Sequence, residues 1–83
     1  MDIDLNVMRI LDDVLALDGR TQQWTRETPL LGAVPELDSM AVVHLLTTLA
    51  DQFGITIDDD DFDGDVFMTV GTLSDFVRRR VNP

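Results

Sequence analysis

The residues best suited to covalent chemistry are Asp38 and Ser39, which stand where a loop containing Pro35 gives way to a periodic apolar segment. A serine at the start of a helix lies beside backbone N–H groups that have no partner within the helix. These amides and the positive end of the helix dipole favour an anionic group on the serine oxygen, by roughly 0.3–1 kcal/mol each when exposed. We therefore interpret Ser39 as a residue that is modified.

A catalytic role for Ser39 is not supported by its neighbours. A nucleophilic serine needs a general base within hydrogen-bond reach. The only histidine, His44, is five residues further along the same helix, so the helical repeat turns it to a different face. We expect His44 on the surface. The simplest alternative for Asp38 and Ser39 is structural, because both residue types are favoured as helix N-caps.

An acidic segment at residues 58–65 is a second candidate site. Asp59, Asp61 and Asp63 match the first, third and fifth positions of a calcium-binding EF-hand loop, and Gly64 matches the sixth. Position twelve, which should be a bidentate glutamate, is Val70, and the sequence has no second EF hand. An EF-hand-like calcium protein and weak divalent-ion binding remain alternatives, but we favour a solvated acidic turn.

Two long amphipathic segments flank a loop, and the second of them begins at Ser39. Apolar residues at helical spacing predict a first helix over residues 3–17, ending at Gly19. Residues 21–37 have no sustained period and contain prolines and glycine, which predicts a long loop; its expected anchors are Trp24, Leu30 and Leu31. A second helix is predicted from Ser39 to Phe53, stopped by Gly54, with apolar residues at Met40, Val43, Leu46, Leu49, Ala50 and Phe53.

The remaining segments predict an all-α fold. The apolar patch at residues 66–68 is long enough only for a short third helix, and residues 72–80 predict a last helix capped by Thr72 or Gly71. That helix should bury Leu73, Phe76 and Val77. The expected architecture is a four-helix bundle with a long loop between helices one and two and a short third helix, forming a single domain over residues 1–83.

Composition limits the partners. A chain of 83 residues without cysteine can build one modest core, without disulfides or thiolate metal sites. Sixteen carboxylates against six arginines give a net charge of −10, which disfavours nucleic acid and anionic membranes and favours partners with basic patches. No apolar run approaches the roughly 20 residues that span a bilayer, and the first ten residues are acidic where a secretory signal would be basic. We expect a soluble, cytoplasmic monomer without stable membrane insertion.

The order of these elements resembles the acyl carrier protein family. The resemblance rests on Leu31 and Gly32 in the loop, on residues 37–40 (LDSM) at the start of the second helix, and on residues 53–55 (FGI) and 73–77 (LSDFV). It extends over nearly the full chain. Residues 61–67 (DFDGDVF) are locally similar to the third-helix region of D-alanyl carrier proteins, which hints at an amino acid cargo.

The resemblance implies a role for each residue around the serine. Ser39 would receive a 4′-phosphopantetheine arm from a phosphopantetheinyl transferase and hold an acyl or aminoacyl cargo on it as a thioester. Asp38, Met40 and Val43 would form the docking surface for partner enzymes. Those partners would be the transferase, an acyl- or aminoacyl-adenylating ligase, and an acyltransferase or synthase. The chain itself would be no enzyme.

The second helix also departs from that family. Many members display several glutamates there, whereas this sequence has Ala41, His44, Thr47 and Thr48 at the expected exposed positions and Asp51 as the main charge. A dedicated ligase or transferase is therefore a better expectation than the usual fatty-acid synthesis partners. A further alternative is a carrier-like interaction adaptor without a prosthetic group, which would bind a basic partner through its acidic surface.

Overall fold

Three α-helices and two short 3₁₀ turns form the architecture, seen in a computed structural model that describes residues 2–57 and 64–81. Helix α1 spans Ile3–Leu15, α2 spans Ser39–Phe53 and α3 spans Val70–Val81; the 3₁₀ turns are Arg20–Gln23 and Gly64–Phe67. These ranges contain no β-strand, only the isolated bridge between Pro29 and Thr69. The all-α prediction is confirmed. Where a short third helix was predicted, the described residues form one 3₁₀ turn, so the count of four helices is not confirmed.

The end of α1 is set by backbone conformation and by one carboxylate. The helix ends at Leu15 and not near Gly19 as predicted, because Ala16 adopts a left-handed conformation with φ of 53°. The Asp12 carboxylate then accepts hydrogen bonds from the Gly19 amide at 3.1 Å and the Thr21 hydroxyl at 2.8 Å. These bonds hold the pKa of Asp12 below its usual value and fold the start of the loop back onto α1.

The buried face of α2 differs from the apolar series that predicted the helix. The helix begins and ends as expected, with Gly54 as its C-cap at φ of 64°. Its buried residues are Val42, Leu45 and Leu49, however, whereas Met40 is 81% exposed and Val43 is 63% exposed. Residues 39–50 of α2 include no Asp, Glu, Lys or Arg, and apolar residues occur on more than one side of the helix. The spacing of apolar residues alone therefore did not identify the face that packs against α1 and α3.

One hydrophobic core unites the helices and the loop between α1 and α2. The predicted anchor Leu30 is fully buried and Trp24 packs half-buried against the core, but Leu31 is 44% exposed, so that anchor was wrong. Helix α3 buries Leu73, Phe76 and Val77 as predicted. The core consists of Ile3, Val7, Leu11, Leu15, Leu17, Leu30, Leu37, Val42, Leu45, Leu49, Phe67, Val70, Leu73, Phe76 and Val77.

The start of α3 lies two residues earlier than predicted. Thr69 precedes the first helical residue, and its hydroxyl accepts a hydrogen bond from the Thr72 amide at 3.1 Å. The Thr72 hydroxyl lies 3.0 Å from the Thr69 amide, which donates to it in return. Two backbone donors that have no partner inside the helix are thereby satisfied, as in a capping box. Thr69 is therefore the cap, and the prediction of Thr72 or Gly71 was wrong.

The loop is fastened to the start of α3 by backbone hydrogen bonds. Leu30 and Leu31 donate to the carbonyls of Met68 and Phe67, both at 2.9 Å. The Gly71 amide donates to the Arg26 carbonyl at 2.8 Å, and a Cβ atom at Gly71 would lie only 3.0 Å from that oxygen. Glycine therefore permits this close crossing, and a larger residue would have to push the loop away from α3.

The side chain of Arg26 adds ion pairs to this crossing. Its guanidinium contacts Asp4 of α1 and Asp75 of α3, each at 2.9 Å, and Arg78 contacts the same two carboxylates. Burial raises the pKa of Asp4, but the hydrogen bonds and positive charge of Arg26 outweigh this effect and leave that pKa below its usual value. These ion pairs connect the loop to both α1 and α3. Separately, no helix among the described residues is long and apolar enough to cross a membrane.

The register of α2 gives a testable stability difference. Leu45→Ala removes a fully buried side chain, so we expect a loss of roughly 2–5 kcal/mol in the free energy of unfolding. Met40→Ala removes an exposed side chain of the same helix and should change that free energy by no more than about 0.5 kcal/mol. Urea unfolding of both variants measures the difference. Equal losses would contradict the assignment of Leu45 to the buried face of α2 and of Met40 to the exposed face.

Candidate functional site

The first turn of α2 is capped by Asp38 and begins at Ser39. The Asp38 carboxylate accepts a hydrogen bond from the Ala41 amide at 2.8 Å, and the Asp38 carbonyl accepts one from the Val42 amide at 2.9 Å. The structural alternative raised by the sequence is therefore half right, because one residue of the pair, Asp38, caps the helix. Asp38 alone fills that role, however, and Ser39 is left outside it.

The Ser39 hydroxyl is exposed at the helix N-terminus. Across residues 2–57 and 64–81 it has no hydrogen-bond partner, nor do the backbone amides of Ser39 and Met40. Free amides and the positive end of the helix dipole create a favourable position for a phosphodiester on the serine oxygen. The residues present therefore fit a covalently attached phosphate-bearing arm.

The segment that leads into α2 is held at several points. Glu36 forms an ion pair with Arg20 of the first 3₁₀ turn, and the hydrogen bond from Arg20 lowers the pKa of Glu36. The Leu37 amide donates to the Val34 carbonyl at 3.0 Å, and the Leu37 side chain is buried. The chain therefore enters α2 in a fixed direction, which sets the position of the serine oxygen.

An apolar groove of about 880 Å³ begins at Ser39 and runs along α2. Its volume lies within the range of roughly 300–1,000 Å³ typical of small-molecule sites. Asp38 and Ser39 stand at one end, and apart from Thr47 the other lining side chains are apolar, among them Leu31, Leu37, Val42, Leu46, Ala50 and Ile57. The groove therefore offers apolar surface next to an oxygen that can carry a covalent group.

The predicted docking residues lie around this site. Asp38, Met40 and Val43 are all exposed, and Met40 directly follows the serine. Val43 also lines the groove. His44 is exposed, as expected. Its spacing from Ser39 provides no base for a nucleophile.

Sequence analysis did not identify most of the residues that line the groove. Leu31 was taken as a buried anchor, and no role at the site was assigned to Leu37, Leu46 or Ile57. Leu46 stands seven residues after the serine, which is a local signal that it shares the side of the helix that carries Ser39. Leu37 precedes the helix and has no such signal. Nothing in the sequence signals that Leu31 and Ile57, from separate segments, meet at the same groove.

The calcium-site alternative is not supported. Asp59, Asp61 and Asp63 lie outside the described residues. Val70, at the position of the missing bidentate ligand, is fully buried as the first residue of α3. In the part of the chain that the structure describes, no group of three or more metal-ligating side chains is placed to hold a metal ion.

Comparisons with known proteins agree on one family. Residues 35–79 match the family model described as "Phosphopantetheine attachment site". The solution NMR structure of a holo acyl carrier protein from Nitrosomonas europaea superimposes with a TM-score of 0.92 at 41% sequence identity, covering 100% of both chains. Among curated proteins, no sequence matches at a significant level.

Two substitutions at Asp38 distinguish its role as the cap of α2 from the effect of its negative charge. Asp38→Ala removes the acceptor of the Ala41 amide, so we expect a loss of about 0.5–2 kcal/mol in the free energy of unfolding and faster amide exchange at Ala41. Asp38→Asn keeps a good capping oxygen and should be close to wild type. Denaturant unfolding and amide hydrogen exchange measure both effects. An asparagine variant as unstable as the alanine variant would show that charge, and not the cap, matters.

Proposed function

The chain belongs to the phosphopantetheine attachment-site family, and we propose that Ser39 is the residue of this chain that carries the arm. The protein is an acyl carrier protein that works with a 4′-phosphopantetheine group and is not itself a catalyst. When attached, this group supplies a thiol on a flexible tether, to which cargo is bound as a thioester. The calcium-sensor and adaptor alternatives are not supported.

One observation supports the assignment to Ser39. Its hydroxyl is exposed and without a partner in the described residues, at a helix N-terminus that lies within the matched range 35–79. The neighbouring Asp38 cannot take this role, because its carboxylate caps the helix and is no acceptor of a phosphoryl group in this chemistry. The Ser39 and Met40 amides would then face the phosphodiester oxygens.

In the attachment reaction the serine is the substrate of a phosphopantetheinyl transferase. The Ser39 oxygen forms a bond to the phosphorus that bears the pantetheine arm of coenzyme A, the pyrophosphate bond of coenzyme A breaks, and adenosine 3′,5′-bisphosphate leaves. The hydroxyl proton leaves to a base on the transferase, since no residue in the described part of the chain accepts a hydrogen bond from the Ser39 hydroxyl and the Asp38 carboxylate caps the helix. The free amides at the helix start stabilise the negative charge of the attached phosphodiester.

We also propose that cargo is loaded and removed by partner enzymes. An acyl- or aminoacyl-adenylating ligase would load the thiol, and an acyltransferase or synthase would use the thioester. Asp38, Met40 and Val43 surround the attachment point and are proposed as the docking surface. The tether keeps the cargo at high effective concentration near a docked enzyme, so weak docking suffices.

The assignment to Ser39 is tested by intact-mass spectrometry. With coenzyme A and a broad-specificity transferase, the wild type should gain the mass of one phosphopantetheine. Ser39→Ala should gain none while keeping its helical circular dichroism and unfolding transition, because the exposed hydroxyl makes no hydrogen bond to any described residue. Modification of the alanine variant would show that another residue carries the arm. Cargo added later by a ligase should be released by hydroxylamine, as thioesters are.

The groove suggests a place for the apolar part of the cargo. We expect a medium-chain acyl group on the arm to shift the methyl resonances of Leu46, Ala50 and Ile57, which line the groove, relative to the unloaded arm. Leu5, on the outer face of α1, serves as the internal control and should not shift. NMR spectra of the two forms give the comparison. Shifts confined to residues adjoining Ser39 would mean that the cargo stays outside the groove.

A further inference from the structure

The loop segment of residues 26–31, which we call the strap, runs alongside residues 67–71 at the start of α3. Four backbone hydrogen bonds of 2.8–3.0 Å join the two segments: Gly71 to the Arg26 carbonyl, Val70 to the Thr28 carbonyl, Leu30 to the Met68 carbonyl and Leu31 to the Phe67 carbonyl. Leu31, at the end of the strap, lines the groove that begins at Ser39. The position of the strap therefore sets part of the groove wall.

Few side chains of the strap are packed against the core. Among residues 26–31, all of which the structure describes, Leu30 is the one buried side chain. The next residue, Gly32, is exposed and adopts a left-handed conformation with φ of 86°, so the chain turns sharply just beyond Leu31. Segments with few buried side chains are the ones that open locally in a native protein. The strap therefore depends on its remaining contacts to stay closed.

The Arg26 side chain fastens the end of the strap that lies opposite Leu31. Its guanidinium donates two hydrogen bonds to Asp4 of α1, at 2.9 and 3.0 Å, and two to Asp75 of α3, both at 2.9 Å. A guanidinium presents its N–H donors in a fixed fork, which allows it to bind two carboxylates at once. Single exposed ion pairs contribute little to stability, but forked pairs within a network contribute more.

Arg78 shares both of these carboxylates but belongs to α3. It contacts Asp75 at 2.8 Å and Asp4 at 3.2 Å, so its ion pairs join α1 to α3. Loss of either arginine removes one positive charge from the same network. Only the loss of Arg26 removes the ion pairs that fasten the strap.

From these contacts we infer that Arg26 is a positioning residue for the cargo groove, which keeps Leu31 in place by fastening the strap to α1 and α3. Opening of the strap moves Leu31 and leaves a cargo in the groove, with its thioester, more accessible to water. This role rests on the proposed function, in which cargo on the arm of Ser39 enters the groove. Shelter in an apolar groove thereby depends on ion pairs outside the groove, and it weakens when salt screens them.

Amide hydrogen exchange in the apo-protein tests the fastening of the strap without any arm or cargo. In Arg26→Gln we expect the Leu30 and Leu31 amides to exchange about fivefold faster, the factor that corresponds to two modest exposed ion pairs. Arg78→Gln is the matched control and should change these two rates by less than about twofold. Arg26→Lys keeps the charge but not the fork, so its rates should fall between those of wild type and Arg26→Gln.

A salt series gives the same test without a substitution. Raising NaCl from about 50 to about 500 mM should speed exchange of the Leu30 and Leu31 amides in the wild type, because salt screens exposed charges. The same change should have little effect on these amides in Arg26→Gln. If Arg26→Gln fails to fold, Arg26→Lys and the wild-type salt series decide the question.

Hydroxylamine cleavage of the loaded protein tests the effect on cargo. An octanoyl thioester should be cleaved about fivefold faster in Arg26→Gln than in wild type, because the reagent reaches a sheltered thioester when the strap is open. Arg78→Gln should be cleaved at the wild-type rate. An acetyl cargo is too short to extend along the groove, so its thioester should be cleaved at equal rates in all three proteins.

The outcomes separate the role of Arg26 from the function beneath it. Unchanged exchange at Leu30 and Leu31 in Arg26→Gln overturns the inference, and so does equal acceleration in Arg78→Gln. Faster exchange with equal cleavage of the octanoyl thioesters also overturns it, because the strap would then not control the groove. A wild type that gains no phosphopantetheine overturns the proposed function and the cargo role of Arg26 with it. The exchange rates of the apo-protein do not depend on that result.

Discussion

The hydrogen bond from the Ala41 amide to the Asp38 carboxylate is the contact on which the site depends. Asp38 caps α2 and so fixes Ser39 as the first residue of the helix. The Ser39 side chain is therefore not needed as a helix cap. The Ser39 oxygen is thereby exposed next to amides that have no partner in the described residues. A small charge-assisted interaction thus decides which of two adjacent polar residues belongs to the fold and which is available for chemistry.

A second set of contacts gives the site its walls. The loop between α1 and α2 is held against the start of α3 by backbone hydrogen bonds, by the close approach at Gly71 and by the ion pairs of Arg26 with Asp4 and Asp75. This attachment buries Leu30 and turns the adjacent Leu31 outward to the groove. Although the loop is long, these contacts hold it in place, and through Leu31 it forms part of the groove wall.

The carrier role explains why so much apolar surface is left exposed near one serine. Isolated exposed apolar residues are common, but clustered ones mark interaction sites. Here Leu31 and Val43 line a groove that ends at Ser39, and the exposed Met40 directly follows that serine. A protein that performs no catalysis itself needs two things at this point, an anchor for a tether and a surface that partner enzymes can bind. In the proposed function both are supplied by the first turns of one helix.

Local physics allowed the sequence to specify the helices, the stop at Gly54 and the candidate serine, because caps, turn residues and helical periodicity act over a few residues. It did not determine which side of α2 is buried, since apolar residues occupy both sides and only packing against α1 and α3 selects Val42, Leu45 and Leu49. Nor did it place Leu31 and Ile57 at one groove. Those positions depend on contacts between distant segments, and only the tertiary structure decides them.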